Sequence, residues 1–227
     1  MKALVLNVVE HCWKFLLDCV FPKFCFGCDI EGEFVCGRCK AAVKKSKIEM
    51  FKVFADLSLD GIWIGWRYKK NEVISKVIHG FKYLNLREIG DFLAKEVFVS
   101  CWKLIEEQKI DTKNLLVVYV QIDKNRLNER GYNQCELLCK YIEQWFDCKQ
   151  VLERVSFYKA QMELNENERK KNVVGVFKFI GQREEIEGRD IIVVDDVATT
   201  FSTLNEIAKV LKSAGARRVF GVVVAKT

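Results

Sequence analysis

The sequence has no uninterrupted apolar run that approaches the roughly 20 residues needed for a membrane-spanning helix. Residues 1–21 are largely apolar, but Glu10, His11, Lys14 and Asp18 interrupt them, and no small-residue cleavage site follows. Internal repeats and low-complexity tracts are also absent. These absences count against membrane insertion and against secretion, and they lead us to expect a cytoplasmic protein.

Proline is nearly absent: Pro22 is the only one, and it ends an amphipathic helix predicted over residues 3–20. Of the 227 residues, 50% are hydrophobic and 30% are charged, which is typical of a globular protein with one full-sized domain and a small appendage. The formal net charge of +6 favours anionic partners such as phosphates or nucleic acid, although an ordinary lysine-rich surface explains it equally well.

Cysteine, by contrast, is abundant, and four of the ten cysteines form two C-x-x-C pairs separated by seven residues. In a reducing compartment, clustered cysteines bind metal more often than they form disulfides. Two such pairs complete a tetrahedral zinc site, and four thiolates leave no open position, so the predicted role is structural. Two disulfides or four free thiols are the alternative. The predicted ligands are Cys25, Cys28, Cys36 and Cys39.

Hydrophobic periodicity predicts an α/β fold with a mostly parallel sheet flanked by helices. Strands are predicted over 62–68, 115–120, 173–180, 191–194 and 219–225, and helices over 74–81, 86–107, 133–146 and 204–211. The last strand, helix and strand have the lengths of a βαβ unit. The lysine-rich stretch Lys44–Lys47 is interpreted as a connector. We therefore predict an N-terminal helix and zinc-ribbon module in residues 1–43 and the α/β domain in residues 44–227.

The candidate ligand loop follows the strand at 191–194. Asp195 and Asp196 stand at the strand end, where ligands bind in open α/β sheets, and their carboxylates suit sugar hydroxyls. The helix that follows offers unpaired N–H groups and the positive end of its dipole to a phosphate. Residues 203–206 also match a capping box, so Thr203 has the alternative role of capping this helix. Hydroxyl donors are supplied by Thr199, Thr200, Ser202 and Thr203.

This loop resembles the PRPP-binding signature of type I phosphoribosyltransferases, which is an apolar strand, Asp-Asp, and a Thr-Thr-Gly-x-Thr-like turn. Other segments, in family order over nearly the whole chain, resemble the ComF family of competence-associated proteins, one branch of that superfamily. The Arg-Gly-Tyr-Asn-Gln run together with the cysteine pairs is the specific part of this resemblance. The similar segments are the cysteine pairs at 25–39, Arg126-x-x-x-Arg130-Gly131-Tyr132-Asn133-Gln134, Gln161-x-x-Leu164, and Glu168-Arg169-x-x-Asn172-Val173-x-Gly175-x-Phe177.

The resemblance implies a type I phosphoribosyltransferase fold in which residues 195–203 bind the ribose and 5′-phosphate of PRPP, with Mg²⁺ accompanying its pyrophosphate. It implies that Arg126 and Arg130 face the pyrophosphate, because guanidinium groups grip phosphate oxygens in pairs. Solvated charges at a helix start are the alternative for these two arginines. The same resemblance implies a flap at 156–172. The implied ribose and phosphate residues are Asp195, Asp196, Ala198, Thr199, Thr200, Phe201, Ser202 and Thr203, with the two aspartates as the catalytic candidates.

Two positions depart from the family pattern. Phe201 stands where the signature usually has glycine, and if the turn needs positive φ, a phenylalanine there is an outlier. Gln121 stands where family members often carry proline. These departures bear on turnover more than on ligand binding.

Three functions are therefore under consideration. The first is a ComF-like protein that binds PRPP or a related ribose phosphate and supports DNA uptake in competence, handling single-stranded DNA. Basic clusters at Lys44–Lys47, Arg169–Lys171 and Arg217–Arg218 accord with it. The second is an active phosphoribosyltransferase that transfers ribose 5-phosphate to a nitrogen nucleophile, although no residue stands out as its general base. The third is a zinc-dependent interaction module on a degenerate enzyme scaffold.

Overall fold

The computed structural model describes residues 19–48, 50–68, 72–84, 86, 88–155 and 175–227. Two predictions fall outside these described residues. They are the whole flap at 156–172 and the N-terminal helix over 3–20, except for its last two residues.

The described elements follow the predicted order closely. Every predicted helix and strand outside the undescribed ranges is present, and its ends differ from the prediction by at most four residues. The helices are α1 (Gly37–Lys45), α2 (Glu72–Tyr83), α3 (Glu88–Gln108), α4 (Lys124–Arg130), α5 (Gln134–Ile142) and α6 (Ser202–Ser213). The strands are β1 (Met50–Lys52), β2 (Gly61–Arg67), β3 (Leu115–Tyr119), β4 (Leu152–Arg154), β5 (Phe177–Phe179), β6 (Asp190–Ala198) and β7 (Arg218–Lys226).

The main sheet has five strands in the order β1-β2-β7-β6-β3. Strands β2, β7, β6 and β3 are parallel, and β1 is an antiparallel edge strand. Residues 191–194 of the central strand β6 are fully buried, because strands in a sheet covered by helices carry apolar side chains on both faces. The predicted α/β class with a mostly parallel sheet is confirmed. Strands β4 and β5 form a separate antiparallel pair.

Four elements were not predicted, and each is short. Strand β1 spans three residues, β4 spans three, α4 spans seven and α1 spans nine. Such short segments carry too few residues to show a hydrophobic period, so only pairing with a neighbour defines them. The strand predicted over 173–180 is observed as Phe177–Phe179, and its first two residues lie outside the described part.

The cysteine-bearing segment packs directly on the α/β domain. Val35 and Val43 are buried in the same core as the sheet, and the Trp66 indole N–H donates to the Val43 carbonyl (2.9 Å). Helix α1 runs through residue 43, at which we predicted the division between the two parts. Glu96 on α3 forms ion pairs with both Lys44 (2.9 Å) and Lys47 (3.5 Å). The lysine-rich stretch therefore contributes to the contact between α1 and α3.

Asp190, at the amino end of β6, anchors the opposite edge of the sheet. Its carboxylate is fully buried and accepts paired hydrogen bonds from the guanidinium groups of Arg217 and Arg218 (2.6–3.0 Å). These two positive charges lower the pKa of Asp190, although burial opposes them. The Arg217–Arg218 cluster therefore ties β6 to β7.

No helix in the described ranges combines the length and the apolarity required of a membrane span.

Candidate functional site

Strand β6 carries the two predicted aspartates to the carboxyl edge of the sheet. Hydrogen bonds to β3 on one side and β7 on the other fix this strand, which ends at Ala198. Asp195 is half-buried, and Asp196 is only 8% exposed. The carboxylates therefore stand where ligands bind in open α/β sheets.

The acidic pair accepts from four donors, one of which is the Val197 N–H, which donates to Asp196 Oδ1 (2.5 Å). The backbone N–H of Asp196 donates to Asp195 Oδ1 (2.8 Å), and the Cys135 thiol donates to the same oxygen (3.6 Å). Lys82, at the end of α2, forms an ion pair with Asp196 Oδ1 (2.9 Å). Both bonds to Asp195 use one oxygen, and no hydrogen bond to its Oδ2 is seen among the described residues.

Burial and the neighbouring carboxylate raise the pKa of Asp195 to about 7, and Lys82 partly opposes this rise. The pKa of Lys82 itself is raised, because attraction to Asp196 and Asp195 exceeds the opposing effect of burial. The charge of the Asp195–Asp196 pair therefore changes around neutral pH, whereas the neighbouring Lys82 ammonium stays charged. Such perturbed carboxyls are typical of functional sites.

The turn after β6 requires positive φ at Phe201 (φ 60°, ψ 9°), as glycine at this position in the family signature suggests. The Phe201 ring is only 5% exposed, packs against Phe54 (ring centroids 5.2 Å apart) and has Lys226 Nζ 5.6 Å from its centroid. The ring therefore turns into the protein. Backbone strain of about 1–2 kcal/mol accompanies this conformation and is offset by burial of the ring.

Helix α6 begins directly at this turn, and Phe201 is its N-cap. The alternative assignment of Thr203 as the capping residue is wrong, because the helix starts at Ser202 and no side chain caps its first turn. Amide groups of that turn and the positive end of the helix dipole are thus available to an anion. The hydroxyls of Thr200 and Ser202 lie 2.9 Å apart, and Thr199, Thr200 and Ser202 are exposed.

The Arg-Gly-Tyr-Asn-Gln run builds the corner after β3. Gly131 adopts positive φ (71°) and ends α4, where its N–H donates to Leu127. Asn133 caps α5 through a bond to the Cys135 N–H (3.1 Å), and it also donates to the Val120 carbonyl (3.1 Å). The Tyr132 hydroxyl donates to the Phe81 carbonyl. These bonds join the ends of β3, α2 and α5 near the acidic pair.

The two predicted pyrophosphate arginines have different surroundings. Arg126 is exposed and pairs weakly with Asp123 (3.4 Å) near the start of α4. Arg130 ends α4, lies over the Tyr83 ring (5.1 Å) and donates to Gln134 Oε1 (2.9 Å). Only Arg126 therefore matches the alternative of a solvated charge at a helix start.

Three buried side-chain N–H groups in the same corner have no acceptor among the described residues. They are Gln121 Nε2, Arg130 Nε and Gln134 Nε2. Buried donors normally have partners. This corner is therefore short of acceptors, and an anion would supply them.

Sequence reasoning missed Lys82, Cys135 and Arg154. No motif marks Lys82, which simply follows the apolar face of α2, and Cys135 was interpreted only as a small core residue. The pKa of Arg154 on β4 is lowered, chiefly by burial; Asp123 and Asp195 oppose this effect, and Arg126 adds to it. Arg154 therefore lies within electrostatic range of both the acidic pair and a predicted pyrophosphate arginine.

The four-cysteine cluster is assembled as the spacing predicts. The Sγ atoms of Cys25, Cys28, Cys36 and Cys39 all lie within 4.8 Å of one another, and no disulfide joins them. A tetrahedral zinc site, with Zn–S distances of about 2.3 Å, needs sulfur atoms about 3.8 Å apart. Burial opposes thiolate formation at Cys25, yet N–H donors from Cys36 and Gly27 lower its pKa to about 6, whereas burial and the neighbouring thiols raise the pKa of Cys39 to about 12. The donor set therefore fits a metal ion.

Sheet, acidic strand end and loop together define an α/β protein with its candidate site at the carboxyl edge of a mostly parallel sheet and with a four-cysteine module. Among curated proteins, the chain is similar to competence protein F of Haemophilus influenzae, with 29% identity over 65% of this chain and 66% of that protein. DNA utilization protein YhgH of Escherichia coli K12 is 30% identical over 64% of both chains. Competence protein ComFC of Streptococcus pneumoniae is 25% identical over 86% of this chain and 84% of that protein.

These relatives confirm the resemblance to the ComF family. The match spans slightly less than two thirds of the first two relatives. No protein-family model matches the chain.

Solved structures similar to the chain include an amidotransferase and a phosphoribosyltransferase. A glutamine PRPP amidotransferase from B. subtilis has a TM-score of 0.40 at 13% identity, covering 64% of this chain and 30% of that one. A purine phosphoribosyltransferase from Pyrococcus horikoshii has a TM-score of 0.34 at 15% identity, covering 60% and 83%. These scores are low, so the likeness to these two structures carries no conclusion about function.

The left-handed turn predicts an order of stability among variants of Phe201. Both Phe201→Ala and Phe201→Gly lose the buried ring, at a cost of about 3 kcal/mol. Only glycine relieves the positive φ, so the glycine variant should be more stable than the alanine variant by about 1 kcal/mol. Chemical denaturation measures both free energies of unfolding. An alanine variant as stable as the glycine variant would contradict the assigned conformation.

The raised pKa of Asp195 predicts a pH-dependent gain in stability for Asp195→Asn. Ionisation of Asp195 opposes folding, so the wild type should lose stability as pH rises from about 4 to about 7, while the variant keeps it. We expect the variant to be more stable by roughly 2 kcal/mol at pH 8, which allows for partial solvent screening, with no gain near pH 4. Asp56→Asn, at an exposed position, is the matched control. Parallel stability profiles for Asp195→Asn and wild type would refute the prediction.

Proposed function

We propose that the turn after β6 binds the ribose 5-phosphate part of PRPP or a related ribose phosphate. The observation that carries this proposal is the direct succession, within residues 195–203, of a half-buried carboxylate, a buried carboxylate and an uncapped helix start. Carboxylates accept hydrogen bonds from sugar hydroxyls, and a helix start donates to phosphate. The inward ring of Phe201 supports the proposal, because the ring packs on Phe54 while the neighbouring Thr200 and Ser202 are exposed.

Lys82 would neutralise part of the negative charge of the acidic pair, both before and after a ligand binds. A ribose diol donates to carboxylates without bringing positive charge, so the Lys82–Asp196 ion pair can persist beside the bound sugar. The ammonium also moderates repulsion between the aspartates and an anionic ligand. We therefore propose that Lys82 contributes to ligand binding by reducing this repulsion.

The corner after β3 would face the pyrophosphate. Arg126, Arg130 and Arg154 provide positive charge there, and the buried donors without acceptors supply hydrogen bonds. Mg²⁺ carried by the diphosphate would neutralise part of its charge. The chain's own part is to orient the leaving group and to exclude water from C1 of the ribose.

We further propose that the four-cysteine cluster holds structural zinc. Four sulfur ligands close the coordination sphere, so the metal would stabilise residues 25–39 without taking part in a reaction. Metal analysis of the purified chain tests this assignment, and a chain that folds without bound metal contradicts it.

The names of the relatives extend the proposal to DNA uptake. They are called competence and DNA utilization proteins, and we propose that this chain has a role in DNA uptake in the cytoplasm, with single-stranded DNA as the partner. Two of the three predicted basic clusters are engaged in ion pairs, namely Lys44–Lys47 and Arg217–Arg218. The third, Arg169–Lys171, lies outside the described residues.

Ligand binding is tested by thermal stability with PRPP and Mg²⁺. At 100 times the dissociation constant, a ligand of the native state should stabilise it by about 2.7 kcal/mol. The double variant Asp195→Asn/Asp196→Asn should remain folded by circular dichroism and lose the shift, whereas Asp56→Asn should keep it. A normal shift in the double variant would exclude the acidic pair from the site. Pyrophosphate release with a panel of nitrogen nucleophiles would distinguish an active transferase from a binding protein.

DNA binding is tested by fluorescence anisotropy of a labelled oligothymidylate. Binding carried by phosphate contacts should weaken by roughly tenfold or more between 50 and 200 mM salt. Lys44→Gln, which removes a lysine already paired with Glu96, should leave the affinity nearly unchanged. If no complex forms even at low ionic strength, the DNA proposal is wrong.

A further inference from the structure

A second pocket of about 290 Å³ lies along the edge strand β1 and the carboxyl ends of β2 and β7. It is separate from the acidic pair, because neither aspartate lines it. Its apolar wall consists of Ile48, Met50 and Ile64, and its charged wall consists of Lys52, Arg67 and Lys226. Ile48, Met50 and Lys52 alternate along one face of the chain, and Met50 pairs directly with Ile64.

The charged side chains of this pocket are all basic. None of its lining side chains is acidic. Arg67 and Lys226 are neighbours in the parallel register of β2 and β7, so two like charges lie side by side at the strand ends. Cross-strand neighbours of like charge repel each other. Lys226 Nζ donates only to the Thr227 backbone oxygen (3.1 Å) among the described residues, apart from its contact with the Phe201 ring.

Two other basic clusters of the described chain, unlike this pocket, are balanced by acids. Lys44 and Lys47 share Glu96, and Arg217 and Arg218 share Asp190. No hydrogen bond or ion pair of the Lys52 or Arg67 side chains is seen in the described part of the chain. An apolar wall beside unbalanced positive charge favours a ligand with an apolar body and a negative group.

We propose that this pocket binds a small, flat organic anion, such as an aromatic carboxylate or an aromatic phosphate ester. Its volume suits a single ring system, since ligand pockets begin at about 300 Å³. Arg67 and Lys226 bind the anionic group, and the ring lies against Ile48, Met50 and Ile64. The pocket adjoins the loop, because the Thr227 N–H donates to Ala198 (3.1 Å) and Lys226 contacts the Phe201 ring. The proposal stands independently of ribose-phosphate binding.

Three probes that share one phenyl ring test the proposal: benzamide, benzoate and phenyl phosphate. Their dissociation constants can be measured by ligand-observed NMR titration of the full chain. We expect benzoate and phenyl phosphate to bind at least about tenfold more tightly than neutral benzamide, since a charge-assisted hydrogen bond contributes more than about 1.4 kcal/mol. The tighter of the two anions identifies the preferred anionic group. Equal affinity for benzamide and both anions would overturn the proposal.

Variants locate the binding. Arg67→Gln and Lys226→Gln should each weaken benzoate binding about tenfold, and Lys113→Gln, at an exposed lysine outside the pocket, should not. Circular dichroism confirms that the variants are folded. Asp195→Asn/Asp196→Asn should retain benzoate binding. Loss of benzoate binding in that double variant, or unchanged binding in both pocket variants, would place the anion elsewhere and overturn the proposal.

Discussion

The burial of two adjacent carboxylates at the end of β6, opposed by one ammonium, is the interaction on which the candidate site depends. Asp196 is nearly inaccessible, and Lys82 is its ion-pair partner. Burying charge without a partner is costly, so Lys82 fixes the position of α2 relative to the sheet. The same constraint leaves Asp195 with a pKa raised to about 7, and both of its hydrogen bonds from described residues go to one carboxylate oxygen. The end of β6, the end of α2 and the charged groups of the two aspartates and Lys82 therefore lie together in one small region.

The turn after β6 holds Phe201 in a backbone conformation that is unfavourable for phenylalanine. A phenylalanine at positive φ is unfavourable, but its ring is buried between Phe54 and Lys226. The side chain thus secures a conformation that glycine would adopt without strain. Because the ring points inward, replacement of the signature glycine leaves the helix start accessible. The departure from the family pattern changes how the loop is stabilised and keeps the surface that a phosphate would meet.

Sequence reasoning succeeded where a single segment carries the signal. The cysteine pairs, the apolar strand at 191–194 and the stripe of α6 are local patterns, and the structure contains each of them. It did not find Lys82, Cys135 or Arg154, because these residues reach Asp195 and Asp196 from three other elements. Only the packing of α2, α5 and β4 around the sheet end brings them together. It also overestimated the free positive charge, since Arg217 and Arg218 look exposed in the sequence but are bound by the buried Asp190.

We propose that the acidic end of β6 binds the sugar of a ribose phosphate and that the start of α6 binds its phosphate. A crystal structure of the chain with ribose 5-phosphate tests this most directly. The account predicts that the sugar hydroxyls lie roughly 2.5–3.2 Å from carboxylate oxygens of Asp195 or Asp196, with the phosphate on the amide groups that begin at Ser202. A ribose phosphate bound away from this turn, with the Lys82–Asp196 pair and the loop unoccupied, would contradict it.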